Sequence, residues 1–160
     1  MIRQSGRCLC GAIAYEVTAE PERVMICHCT FCQRATGGPC MVDALFGEAD
    51  FRLTEGKPAT YVHVSDTSGK VITVHFCKVC GTKTHLRLEI LPDIVGVYAG
   101  TFDAPDWFDR SVEAVTYIFV ASAPQGTVLP AGAKVFHHGL IDAGGTRLVP
   151  DILDDHRLVK

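Results

Sequence analysis

The chain of 160 residues contains no asparagine, so it offers no acceptor for N-linked glycosylation. No apolar run approaches the length needed to span a bilayer, and the opening "MIRQSGRCLCG" lacks the apolar stretch of a signal peptide. Lysine and arginine form no run and the formal net charge is −3, so the clustered basic face of a nucleic-acid binder is missing. There is no glycine-rich phosphate loop, no G-x-S-x-G and no H-E-x-x-H. Zinc deaminases need H-x-E ahead of P-C-x-x-C, and "GPCMVD" has the Pro-Cys without the second cysteine or that glutamate. The expectation is a cytoplasmic protein with neither a nucleic-acid nor a membrane partner.

What the chain does have is cysteine, eight of them. In a reducing compartment closely spaced cysteines bind metal or do redox work more often than they form staples. With 48% hydrophobic and 21% charged residues, the composition is that of an ordinary globular protein long enough for one domain. Its hydrophobic pattern is short-period. Residues 12–18, 40–46, 50–54, 60–65, 71–76, 84–90 and 94–100 read as strands rich in Val, Ile, Tyr, Phe and Thr, and 113–122 as a later, more buried one. In "THLRLEI" the alternation puts Leu86, Leu88 and Ile90 on one buried face. "SDTSGK" (65–70) predicts the turn of an antiparallel hairpin. Only "TFCQRATG" (30–37) suggests a short helix, stopped by Gly37-Gly38. The predicted fold is mainly β and antiparallel, with few short helices. Residues 1–123 form the domain, and 124–160 a C-terminal extension packed on it.

Two cysteine groups share their punctuation: "RCLCG" gives Cys8, Cys10 and Gly11, and "FCKVCG" gives Cys77, Cys80 and Gly81. A glycine after the second cysteine lets the backbone take positive φ and turn amides toward the sulfurs. Two such turns far apart in sequence build a Cys₄ zinc site, a closed structural one. The competing reading is two metal-free thiol pairs. Of the rest, Cys27, Cys29 and Cys32 lie as C-x-C-x-x-C, close enough to bind one metal from one loop. The spacing of neither group matches the usual iron–sulfur runs. Cys40, eight residues on, is expected to sit with Val42 and Ala44 on a small apolar core face rather than to act as a fourth ligand. That leaves three ligands and one open position, as at a catalytic zinc. Three thiolates leave Zn²⁺ a poor Lewis acid for making hydroxide but still able to take a thiol as its thiolate. His28, between two of these cysteines, is expected either to support a ligand without touching the metal or to face solvent, and His137-His138 are expected to have no metal role.

Four segments in order, "GRCLCGAIAYEV", "CHCTFCQRATGG", "FCKVCGTKTH" and "YAGTFDAP", resemble the glutathione-dependent formaldehyde-activating family, which also includes centromere protein V. The resemblance implies a β-tent fold. It implies two zinc ions: a structural one on Cys8, Cys10, Cys77 and Cys80, and a labile or catalytic one on Cys27, Cys29 and Cys32. The implied reaction joins glutathione to formaldehyde as S-hydroxymethylglutathione and is catalogued in reverse as a carbon–sulfur lyase. Arg34 or a backbone amide would steady the developing alkoxide, and Thr36, Gly37 and Gly38 would meet glutathione over the three-cysteine loop. Arg34 reads equally as a plain surface charge. The chain departs from the family at Gln33, where members often carry arginine, and lacks the tryptophan that many carry in the region of "YIFVASAPQGTVLP". The alternative is a zinc-dependent glutathione- or thiol-binding carrier that catalyses nothing.

Overall fold

The computed structural model describes residues 2–141 and 146–160, so residues 142–145 of the C-terminal extension lie outside the described residues. In chain order the first strands are β1 (Gln4–Arg7), β2 (Ala14–Val17) and β3 (Arg23–Cys27), followed by the helix α1 (Thr30–Thr36). Then come β4 (Met41–Gly47), β5 (Phe51–Glu55), β6 (Ala59–Val64), β7 (Val71–Phe76), β8 (Lys83–Leu88) and β9 (Leu91–Tyr98). The remainder carries β10 (Val115–Ile118) and four two-residue strands: β11 (Val128–Leu129), β12 (Lys134–Val135), β13 (Asp151–Ile152) and β14 (Arg157–Leu158). The fold is mainly β, as expected, and α1 is the only α-helix among the described residues. The chain divides into two compact units, Met1–Glu22 with Ala44–Phe108, and Arg23–Asp43 with Asp109–Lys160.

The first unit is antiparallel. β1, β2 and β5 pair side by side, and β6 to β9 form a meander. "SDTSGK" closes β6 onto β7 as expected: Gly69 takes φ +67°, and the Ser65 N–H reaches Lys70 O at 2.9 Å. Glu89 supports this end of the meander by accepting from the Val71 N–H at 2.8 Å. Its core is aromatic, with Tyr15 stacked on Phe51 and edge-on to Phe102, ring centroids 5.5 Å away in each case. Gly6 on β1 faces this cluster, and a Cβ there would lie 2.2 Å from the Tyr15 ring. Of the face expected to be buried, Leu86 is in the core, Leu88 is half-buried and Ile90 is exposed. A bulge between Arg87 and Leu88 ends the alternation, and Glu89-Ile90 make the two-residue turn into β9, which leaves Ile90 exposed.

The second unit contains parallel pairs that the sequence pattern does not announce. β10 runs parallel to β3, with Val115 to Ile118 opposite Val24 to Cys27, and β12 runs parallel to β10. Short strands from the C-terminal region build this unit's core, where Leu129, Ala133, Val135 and Leu153 pack with Val120. The strand expected to start at Cys40 starts at Met41. Cys40 and Val42 are only half-buried, while Met41 and Asp43 of the alternate face are buried along with Ala44. The expected face is therefore buried only from Ala44 onward, with Phe46 beside it, while its first residues Cys40 and Val42 remain half-buried.

Candidate metal centres

In the first unit, Cys8, Cys10, Cys77 and Cys80 bring their sulfurs within 4.8 Å of one another. All eight cysteines are free thiols. Cys10 Sγ lies 3.6 Å from both Cys8 Sγ and Cys77 Sγ. A tetrahedral zinc with Zn–S near ~2.3 Å requires sulfurs about 3.8 Å apart, so the donor set fits that ion without rearrangement. Backbone geometry explains the convergence. The Cys8 carbonyl accepts the Gly11 N–H three residues on at 3.0 Å, the Cys77 carbonyl accepts the Gly81 N–H four residues on at 2.8 Å, and those glycines take φ +77° and +75°. Each turn is then closed by a return bond, Cys8 N–H to Ile13 O at 3.0 Å and Cys77 N–H to Thr82 O at 2.8 Å. The Ile13 N–H also points at Cys8 Sγ, 3.3 Å away.

Thr82 links the two turns. Its hydroxyl accepts from the Leu9 N–H at 3.2 Å and lies 3.2 Å from Cys80 Sγ. Bonds from the Thr82 hydroxyl and amide pull the Cys80 thiol down to about 5. Sequence reasoning missed Thr82, and only its place directly after Gly81 could have drawn notice. A cavity of about 530 Å³ lies at these turns, lined by Arg7, Leu9, Cys10, Thr82, Phe102 and Asp103 among others. The sequence had suggested a ligand pocket elsewhere, over the three-cysteine loop.

In the second unit, Cys27, Cys29 and Cys32 form a separate cluster, their sulfurs again within 4.8 Å of one another. Cys27 ends β3, while Cys29 is the N-cap of α1, its sulfur accepting the Cys32 N–H at 3.3 Å. Hydrogen bonds from Cys27 and Cys32 hold the Cys29 thiol down to about 3, and the same contacts push the Cys27 and Cys32 thiols up. These bonds favour the thiolate form at Cys29 over Cys27 and Cys32. Gln33 fixes the loop, its amide donating to His28 O at 2.7 Å and Ser122 O at 2.9 Å. Gly37 ends the helix with φ +70° and its N–H on Gln33 O at 2.8 Å. The Thr36 hydroxyl lies 2.9 Å from Cys32 O and 3.1 Å from Cys40 O, and it accepts the Gly38 N–H at 3.2 Å. Thr36, Gly37 and Gly38 thus have bonds that shape the helix end. Arg34, one turn from Cys29, is exposed.

Cys40 lies outside the cluster. Its sulfur is not grouped with those of Cys27, Cys29 and Cys32, which lie within 4.8 Å of one another. Met41 and Asp43 alternate with Cys40, and Asp43 feels the Cys29 thiolate. Asp43 is buried at 2% exposure, its Oδ1 has no hydrogen-bond partner, and burial pushes its carboxyl up to about 7. His28 is buried rather than solvent-facing. Its Nδ1 lies 3.2 Å from the Pro39 carbonyl, which can only accept, so Nδ1 is assigned the proton; burial lowers the ring pKa and keeps it neutral. Nothing in the sequence marked Asp43, which looks like an ordinary polar residue on the outward side of a strand.

A mainly β chain with one cluster of four thiols and another of three belongs among proteins whose cysteines can hold two metal ions. The family model described as "Glutathione-dependent formaldehyde-activating enzyme" matches residues 3–122, and the chain belongs to that family. A crystal structure of a Rhodobacter sphaeroides protein is similar at 25% identity with a TM-score of 0.54, covering 71% of this chain and 98% of that one. No curated protein matches the chain. Among the described residues no helix is long and apolar enough to cross a membrane.

Proposed function

We propose that this protein joins a small thiol, with glutathione as the family's substrate, to formaldehyde or a related small aldehyde. In the reverse sense it is a carbon–sulfur lyase. The observation that supports the reading is that Cys27, Cys29 and Cys32 bring three soft donors together without Cys40. Cys8, Cys10, Cys77 and Cys80 would hold one zinc ion as a structural clamp, and Cys27, Cys29 and Cys32 a second. At the three-thiol site that ion would supply an acidic position at which a substrate thiol is held as thiolate.

The chain's own residues prepare the rest. The hydrogen bonds that favour the Cys29 thiolate would ready the cluster for a soft cation before any substrate arrives. Gln33 keeps the loop's shape by holding two carbonyls, so the three sulfurs need no reorganisation at the moment of reaction. Arg34, exposed at the end of α1, would meet a carboxylate of glutathione from solvent. The test compares the rate of adduct formation with and without protein at matched thiolate concentration, because the condensation also proceeds unaided. An acceleration abolished by Cys29→Ser supports the enzyme. Tight glutathione binding without acceleration makes the protein the non-catalytic thiol carrier.

A further inference from the structure

The meander of the first unit ends on an uncovered strand. Among the described residues β6 pairs with β7 on one side and with no strand on the other. The hairpin fixes which backbone groups this leaves open. The Ser65 N–H bonds Lys70 O across the turn, so in the unbroken antiparallel register Tyr61 and His63 direct theirs inward to β7. Thr60, Val62 and Val64 therefore direct their N–H and C=O groups outward, as a row of open donors and acceptors. Natural sheets blunt such an edge with charged residues, proline or a bulge, because it templates pairing with another chain. The segment Ala59–Val64 has no Lys, Asp, Glu or Pro, and its register does not shift. Tyr61, Val62 and Val64 are instead 58%, 59% and 57% exposed, an apolar edge left facing solvent.

We propose that β6 is a dimerisation edge, which pairs antiparallel with β6 of a second copy about a two-fold axis at Val62. Only residues with outward groups can exchange hydrogen bonds, so Val62 faces the partner's Val62, and Thr60 faces the partner's Val64. That register uses all three open residues and keeps Pro58, which has no N–H, out of the ladder. Each bonded pair exchanges two bonds, about six across the axis. The side chains around Val62 are self-complementary in the same register. β-Branched Thr60 and Val64 oppose each other, and Tyr61 falls opposite the partner's His63 at the closer spacing of a non-bonded pair. Tyr61 and His63 already lie near-parallel in one copy, ring centroids 6.4 Å apart, so pairing extends them into a longer aromatic row. Charge favours a second copy in this direction. Exposed Lys57 precedes the strand and exposed Asp66 follows it, so an antiparallel copy brings the partner's Asp66 to the Lys57 end. A parallel copy would set like charges together. One strand pair is small for a specific interface, which makes this a reversible dimer of micromolar affinity.

The test is sedimentation velocity of the full chain, purified with zinc, from about 5 μM to about 500 μM. Wild type should pass from monomer to dimer over that range. Val62→Lys places a charge on the axis and should weaken the dimer about tenfold or more. Val128→Lys, at a valine that is 60% exposed on β11, should dimerise as wild type does. A second measurement needs no variant. Amide hydrogen exchange of wild type, followed by NMR at both ends of the concentration range, should slow at Thr60, Val62 and Val64 as the dimer forms. Tyr61 and His63, already bonded to β7, should change little. The proposal is overturned if wild type stays monomeric at the highest concentration, or if a folded Val62→Lys dimerises like wild type. It is equally overturned if a dimer forms while the Thr60, Val62 and Val64 amides exchange as fast as in the monomer. That last result would place the interface elsewhere, and a monomer throughout would leave the edge to a different partner.

Discussion

Lowering the pH should strip stability from this protein through one buried imidazole, His85. The ring is 1% exposed on β8, stacked 4.2 Å from His75 and 4.6 Å from Phe51, with Nδ1 3.0 Å from the Thr84 hydroxyl. Burial drives its pKa from 6.5 to about 3, and the neighbouring His75 and Arg87 disfavour the cation further. A histidine depressed in the folded state is protonated first in the unfolded chain. Its stabilising share is therefore complete above the unfolded value and is lost as pH falls from 6.5 toward 3. At about 1.4 kcal/mol per pH unit the full loss is about 5 kcal/mol, and about 2 kcal/mol of it should be gone by about pH 5. The assay is urea denaturation of wild type and His85→Phe at about pH 7.5 and about pH 5. The phenyl ring keeps the stack but cannot titrate, and protonation of the thiols, common to both proteins, cancels in the difference. Wild type should lose about 2 kcal/mol more than the variant over that interval. Parallel losses would refute the reasoning and place the acid sensitivity elsewhere.

The two thiol clusters should respond differently to mutation: Cys77→Ser should abolish soluble expression, whereas Cys29→Ser should give folded protein with about half the zinc by metal analysis. Two glycines with similar φ should also separate. Gly56→Ala sets a Cβ 2.0 Å from Ala12 O and should cost at least about 2 kcal/mol, whereas Gly37→Ala, with nothing within 4 Å, should cost about 1 kcal/mol by urea midpoint. Arg34→Ala should weaken glutathione binding by about fivefold in calorimetry, and an unchanged affinity would remove Arg34 from the site.

Much of the first unit was legible because its signals are local. The 71–76 run, the Ser65–Lys70 turn and the repeated Cys-Gly endings each specify their geometry within a few residues, and β7, the hairpin and the paired turns lie where those signals put them. The α1 helix was legible too, since Gly37 stops it in the left-handed conformation that glycine favours. The second unit depends on distant pairing. "RVMIC" is a short strand with no alternation to mark it, and its parallel partner β10 lies almost a hundred residues away, so neither the pairing nor its direction is written locally. The two-residue strands of the C-terminal region are too brief for any period to show. Asp43 and Thr82 were invisible for a related reason. Burial of a strand's second face and a hydroxyl bridging two turns are tertiary facts, and periodicity alone put the core on the Cys40 side.

The central claim is that the three-thiol site keeps a coordination position for a substrate thiol. Cobalt charge-transfer intensity, which counts thiolates per ion, tests it most directly. Protein loaded with two cobalt ions should show the intensity of four thiolates plus three, wild type and Cys40→Ala alike. Saturating glutathione should then raise the intensity by one thiolate in both proteins. Four thiolates at each ion before glutathione is added, or loss of one ion in Cys40→Ala, would mean that Cys40 closes the site. The account of a thiol-activating centre would then be contradicted.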